Sequence, residues 1–409
     1  MRKNIKNILF LIVLISCVSI FSMTVQPFGL FGNAALVRED FTALLKLVPF
    51  VEIEFGQNIL TLSNINALLN EEDFIINEQT LSAALQDGFK FGLPVSLGAY
   101  VHLNLGGFRI IPYTRIDGNI FLNIPKTIPQ LLVGDTNINE TYSDSLKGFL
   151  VGDVMTNGGV AIVLGSIYVA GNVFAPVFYT DYDLTRLDVS YTSTATPAYA
   201  EFNADAHIRA YSRIPLNDLI NQNINNVIEQ LSNVDDYGMS LEFGFGTQNF
   251  GIAVRNIVIR PAKAYYSVDF NANANFTYTA EGTDVTAEAT YSTTEPIVSR
   301  LFAPIEIKPE IQITGYLKND GFIMWGIMGS YWLDGKWAAK GYAGLNLAIA
   351  RLYYMLGFNQ VSYSHTIGVN ANLFFLNADL KLTATSNSLT PSENTTPGIG
   401  FSLMISAGL

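Results

Sequence analysis

The stretch Leu376-Asn377-Ala378-Asp379-Leu380-Lys381-Leu382-Thr383-Ala384-Thr385 alternates an apolar with a polar residue from end to end. Successive strand side chains point to opposite faces, so this segment has one greasy and one wet side. A helix would scatter both classes around its axis. The run is also about as long as a tilted strand must be to cross a bilayer.

The same rhythm recurs from about Phe91 to Leu409. Phe202, Ala204, Ala206, Ile208 and Ala210 alternate with Asn203, Asp205, His207 and Arg209. Val268 to Tyr278 sets Val, Phe and Ala against Asp269, Asn271, Asn273, Asn275 and Thr277. Further runs begin at Ala99, Ile116, Tyr237 and Ile399, the last ending at Leu409. Gly106-Gly107, Asn319-Asp320-Gly321 and Asp334-Gly335 fall between such runs, where residues that tolerate positive φ make hairpin turns. Consecutive antiparallel hairpins are therefore expected. Only 14% of the chain is charged, with 33 Gly, 20 Tyr and 27 Phe. A soluble domain carries about 25% charge; this balance suits a large sheet with lipid on its outside.

The N-terminus explains how such a chain reaches a membrane. Arg2, Lys3 and Lys6 precede an apolar stretch from Ile8 to Phe21, the form of a signal peptide. Cleavage is expected after Ser22 or Ser19. Loss of three cations takes the formal charge from −12 to −15, which disfavours non-specific contact with nucleic acid. Cys17, the one cysteine, reads as an apolar signal residue or, through Leu14-Ile15-Ser16-Cys17, as a lipidation site. No disulfide or thiolate metal site is available.

Three regions depart from the rhythm. Val25 to Phe89 reads as a helical plug or periplasmic element, with helical spacing in Arg38 to Leu47, Leu62 to Leu69 and Leu81 to Leu85, and one strand at Val51, Ile53 and Phe55. Leu216, Leu219, Ile220, Ile224, Val227, Ile228 and Leu231 predict an amphipathic helix after Pro215. Val154 to Thr180 carries no charge, Asp153 lying just before it and Asp181 just after; its apolar part, Val160 to Phe178, is either a transmembrane helix or two strands cut at Gly165-Ser166.

Catalytic chemistry finds little support. His102, His207 and His365 lack metal-ligand neighbours at helical spacing, Ser364 and His365 fall on opposite strand faces, and Gly244-Phe245-Gly246 lacks the features of a phosphate loop. Trp325, Trp332 and Trp337 lie near predicted hairpin ends, where an interfacial aromatic girdle belongs.

Pro309-Glu310-Ile311-Gln312-Ile313-Thr314-Gly315-Tyr316, Trp332-Leu333-Asp334-Gly335, Arg351 to Phe358 and Thr366-Ile367-Gly368-Val369 resemble, in order and spacing, the closing strands of the FadL-type outer-membrane barrels, with their TraF-like and PorV-like relatives. The resemblance covers about a fifth of the chain and implies a barrel of about fourteen strands.

The expected fold is thus all-β, an antiparallel transmembrane β-barrel with short helical plug or periplasmic elements. The expected organisation is a signal peptide at 1–22, a plug segment at 23–89, and a barrel at 90–409 carrying the inserted helix 216–231. The expected function is porin-like or FadL-like passage of small or hydrophobic solutes through the outer membrane of a diderm bacterium, without cofactor or catalysis. A non-transporting structural or secretion-complex-associated barrel and a soluble secreted β-rich protein are the alternatives. Expected partners are outer-membrane lipid, the barrel assembly machinery through the C-terminal strand, and a small hydrophobic solute. Arg115, Asp117, Asp205, His207, Arg209, Asp269, Asp379 and Lys381 are the candidates for the lumen wall, and counting Glu242, Asp284 and Glu288 with them predicts a modest cation preference.

Overall fold

The computed structural model describes residues 44–57, 88–134, 136–215, 236–247, 249–281, 284–333, 337–347, 349–358, 363–373, 376–386 and 398–408, with 85, 335, 389 and 390. Fourteen strands form a closed antiparallel wall. The first seven are β1 (Leu45–Gln57), β2 (Phe89–Asn104), β3 (Phe108–Ile124), β5 (Leu150–Leu164), β6 (Ile167–Thr180), β9 (Gly238–Gly246) and β10 (Phe250–Arg260). The wall continues through β14 (Gln312–Asn319), β15 (Ile323–Trp332), β16 (Trp337–Leu347), β17 (Ala350–Phe358), β18 (Tyr363–Leu373), β19 (Leu376–Ser386) and β20 (Gly398–Gly408). The ring closes where β1 pairs on one edge with β2 and on the other with β20, Leu47 facing Val101 and Ala407. Closure removes the unpaired edges that lipid cannot satisfy.

The wall turns a globular protein inside out. On β1, Lys46 is 2% exposed and its neighbour Leu47 50%. On β19, Asp379 and Lys381 are buried while Leu380 and Leu382 are exposed. The same outward apolar row continues through Val160, Ile162 and Ile167, then Phe243, Ile252 and Ile327, to Leu352 and Ile367. Trp325, near the β14–β15 turn, and Trp337, at the opposite end of its hairpin, both face outward. Aromatic rings at both margins of an apolar band mark the two bilayer interfaces.

Val154 to Thr180 forms β5 and β6, so the helical alternative for that stretch fails. Gly165, at φ +55°, makes the turn between them, and among the described residues no helix is long and apolar enough to cross a membrane. Both faces are apolar for different reasons: Val160, Ile162 and Ile167 meet lipid, while Ala161, Val163, Tyr168 and Ala170 enter an inner cluster with Val48, Phe50, Tyr100 and Ile111. The helical spacing seen up to Leu47 yields at its end to β1, because Leu45 to Leu47 are held by the ladder of β2. The signal peptide with Cys17, Leu62 to Leu69 and the helix at 216–231 lie outside the described residues.

The remaining strands make an appended sheet. Its members are β4 (Thr141–Lys147), β7 (Arg186–Ala195), β8 (Ala198–Ser212), β11 (Ala262–Glu281), β12 (Asp284–Thr293) and β13 (Ile297–Ile307). The order is β4-β7-β8-β11, and β11 pairs with β13 along its first half and β12 along its second. These strands enter as excursions between β3 and β5, β6 and β9, and β10 and β14. All three leave the same end of the barrel, since β3, β6 and β10 run the same way; the turns at 105–107, 165–166 and 320–322 lie at the other end. A short helix, α1 (Thr127–Val133), ends at Gly134 in the left-handed conformation, φ +73°. It lies under the sheet: Ile128 joins Phe149, Leu187, Val189, Phe202 and Ala206 with Leu122 and Ile124 of the rim in one core.

An arginine placed on the lipid face tests this arrangement. Ile367→Arg, outward and central on β18, is expected to destabilise the barrel by about 2–4 kcal/mol in urea unfolding from lipid vesicles. Ser145→Arg on the appended sheet is expected to change it by less than about 0.5 kcal/mol. Equal tolerance at both positions would contradict a bilayer around the wall.

Candidate functional site: the lumen wall and the appended sheet

Inward positions of the wall strands carry hydrogen-bonded ionisable groups at several levels. Midway up one side, the Glu242 carboxylate on β9 accepts from the Tyr168 hydroxyl at 2.6 Å, from Asn172 Nδ2 at 2.8 Å and from Arg255 Nε at 3.3 Å. Arg255 Nη1 donates onward to Gln312 Oε1 at 3.3 Å, tying β6, β9, β10 and β14 together. Further round the wall, Asp117 receives Ser96 Oγ at 2.7 Å and Asn157 Nδ2 at 2.9 Å and forms an ion pair with Arg115, whose Nε lies 2.9 Å away. Asp379 receives the Tyr353 hydroxyl at 3.0 Å and stands 3.6 Å from Lys381 Nζ. Near the short-turn end, Lys318 Nζ meets Asp320 at 2.7 Å, and Lys46 faces His102 across the β1–β2 ladder.

Strand alternation fixes the sign of this inner surface. The basic positions that point inward on the described wall strands are Lys46, Lys90, Arg109, Arg115, Arg255, Lys318, Lys340, Arg351 and Lys381. The acidic ones are Glu52, Asp117, Asp153, Glu242 and Asp379. Among described wall residues the basic groups therefore outnumber the acidic.

Of the residues chosen from sequence, Arg115, Asp117, Asp379 and Lys381 lie on this inner wall. Asp205, His207, Arg209 and Asp269 do not: they stand on β8 and β11 of the appended sheet, and so do Asp284 and Glu288 on β12. A strand with one wet face alternates identically whether its greasy face meets lipid or a small protein core, and here that core is the cluster over α1. The cation preference counted those four outlying carboxylates as lumen groups; their removal, together with the inward basic residues it had not counted, from Lys46 and Lys90 to Lys340 and Arg351, reverses the balance. Lys46, Arg255, Lys318 and Arg351 escaped notice because each sits in a run that is apolar or irregular on both faces.

On the appended sheet, Arg209 Nη1 bonds Asp269 at 2.9 Å and His207 Nδ1 lies 2.6 Å from Asn271 Oδ1. Beyond them, side chains from β4, β7, β8, β11 and β12 surround a cleft of about 710 Å³. One row across it is Ser143, Ser190, Asn203, Asn275 and Thr290; the next is Ser145, Asp188, Asp205, Asn273 and Ser292. Among the described residues no cluster of His, Cys, Asp and Glu is arranged to hold a metal.

No family model matches this chain, and no curated protein matches it. Among solved structures, a mutant of the monoaromatic hydrocarbon channel TodX is similar at 7% identity and TM-score 0.37, covering 95% of this chain and 96% of that one. A mutant Rh. blastica porin is similar at 6% identity and TM-score 0.25, covering 89% of this chain and 100% of its own. The β domain of the Bordetella autotransporter BrkA has 8% identity and TM-score 0.24, covering 90% and 100%.

The Glu242 network makes a stability prediction. Glu242→Leu deprives the buried Arg255 guanidinium of its carboxylate and is expected to cost about 3–5 kcal/mol. Adding Arg255→Met should restore most of that loss, because an apolar pair of similar volume replaces a buried ion pair at little cost. Urea unfolding of both variants checks it; additive losses would mean the two side chains act independently.

Proposed function

We propose that the chain is an outer-membrane channel of a diderm bacterium, passing small solutes passively and favouring apolar or anionic ones. One observation carries this reading: the inner wall bears ionisable and hydrogen-bonding groups at successive levels, whereas the outer wall is apolar. Barrels of about eight strands are filled by their own side chains and those of about sixteen to eighteen hold an aqueous channel. Fourteen strands fall between, so the path is narrow and shaped by wall residues. The inner cluster around Phe50, Ile111 and Tyr168 offers an apolar flank, and the basic inward groups supply the preference for anions.

In this reading the short turns, the start of β1 and the end of β20 face the periplasm, and the appended sheet faces outward, the usual polarity of such barrels. Lipid packs on the outward apolar rows, and the barrel assembly machinery engages β20 during insertion. A second reading, a non-transporting structural or complex-anchoring barrel, is favoured by the depth at which Glu242, Arg255 and Asp379 are buried and by the extent of the appended sheet.

Purified protein in planar bilayers separates these readings. The channel reading expects conductance with anion-selective reversal potentials at low salt, the selectivity fading as salt nears 1 M and the Debye length shrinks to about 3 Å. Absence of both conductance and liposome uptake would favour the structural barrel. A cation preference would contradict the inner charge balance. On cell fractionation the protein is expected with the outer membrane, its gel mobility changing on heating; recovery as a soluble monomer would overturn the membrane assignment altogether.

A further inference from the structure

The two rows across the appended sheet contradict ordinary strand composition. Nine of their ten positions are Ser, Asn or Asp, Thr290 being the exception. Asn and Asp are depleted in strands because they neither fill a pleated surface nor forgo competing backbone bonds. The neighbouring row on the same five strands, Thr141, Thr192, Glu201, Thr277 and Glu288, contains no Ser, Asn or Asp. Asp188 and Asp205 also stand directly opposite one another, a destabilising placement for like charges. Local rules broken together, on five strands from three separate excursions, mark a functional surface more often than a structural one.

We propose that this cleft binds an uncharged oligosaccharide, its hydroxyls held by the Asn and Asp side chains of the two rows and one sugar ring laid against Tyr199. Carboxamides and carboxylates in register present donors and acceptors at the spacing of successive strands, about 4.8 Å, which suits neighbouring hydroxyl groups on pyranose rings. The side chains are already oriented. Asn275 Nδ2 donates to Asn203 Oδ1 at 2.5 Å, and Asn203 Nδ2 to Glu201 Oε1 at 2.9 Å. Asn273, with its amide turned to donate, gives Asp205 Oδ1 a bond of 2.8 Å. Such a network loses little freedom on binding.

Tyr199 lies on the same face as Asn203, four residues along β8, about 13 Å away, and its hydroxyl is tied to Glu201 at 2.5 Å. That bond and the Asn203 amide hold the Glu201 carboxyl below its ordinary range. A fixed ring at that distance offers a platform for the C–H face of a sugar two units removed. Glu201, Asp188 and Asp205 repel an anionic glycan. A cationic peptide is disfavoured because Asp188 already meets Arg186 Nε at 3.3 Å and Ser145 Oγ at 2.5 Å, and because the two rows provide no apolar pocket to anchor side chains.

The test is calorimetry on the full chain in micelles of a sugar-free zwitterionic detergent, titrated with maltohexaose, cellohexaose, chitohexaose and mannohexaose. At least one is expected to bind with a Kd of about 1 mM or tighter. The double variant Asn203→Thr, Asn275→Thr should weaken that binding roughly tenfold or more while raising Tm, because Thr suits a strand better than Asn. Tyr199→Ala, at a position that leaves both rows intact, should weaken binding as well. Failure of all four saccharides to bind, wild-type affinity in the double variant, or binding of hexalysine in place of any saccharide would overturn the proposal.

Discussion

Backbone hydrogen bonding in lipid is the constraint on which the rest of this structure depends. Within the apolar band water supplies no partner, so each N–H and C=O in the wall needs one from a neighbouring strand. An open sheet of fourteen strands would leave two edges unpaired. Pairing of β1 with β20, through contacts such as Phe50 with Met404, converts those edges into one more ladder. Everything else follows within that ring: outward positions are released to be apolar, inward positions to be charged, and any segment that does not fit the wall has to leave it at an end.

The barrel was legible in sequence wherever the two faces of a strand differ in polarity. Leu376 to Thr385 needed nothing beyond its alternation, and Asn319-Asp320-Gly321 marked the turn from β14 to β15. Stretches with two apolar faces were harder, because an inner cluster such as Val163 with Tyr168 looks like lipid-facing surface. Length and glycine decided between helix and strand there, and Gly165 at positive φ is the residue that settles β5 and β6. β1 was visible only as Val51, Ile53 and Phe55; that it closes the ring depends on partners more than three hundred residues away, which no local pattern records.

The lumen was less legible than the wall. Alternation identifies a wet face without saying what the opposite face touches. Asp205 and Asp379 sit in almost identical contexts, one above a small protein core and the other inside the barrel. The difference lies in strand order: β8 pairs with β7 and β11, which are themselves outside the ring. A cue was nonetheless available, since the strict run from Val268 to Tyr278 is part of a strand longer than a bilayer requires, β11 spanning Ala262–Glu281.

The three excursions that make the appended sheet also divide the barrel mechanically. The wall from β3 to β14 is laced together at one rim, because each excursion starts and ends on that half and is hydrogen-bonded to the others. Among the described residues the half from β15 to β19 carries no such layer at the same rim. Bending the ring out of round therefore strains the laced half through an extra layer of backbone bonds, while the other half yields by shear between neighbours. The barrel is a hoop of unequal stiffness, and thermal or lateral membrane stress deforms it along one fixed axis rather than evenly around its circumference.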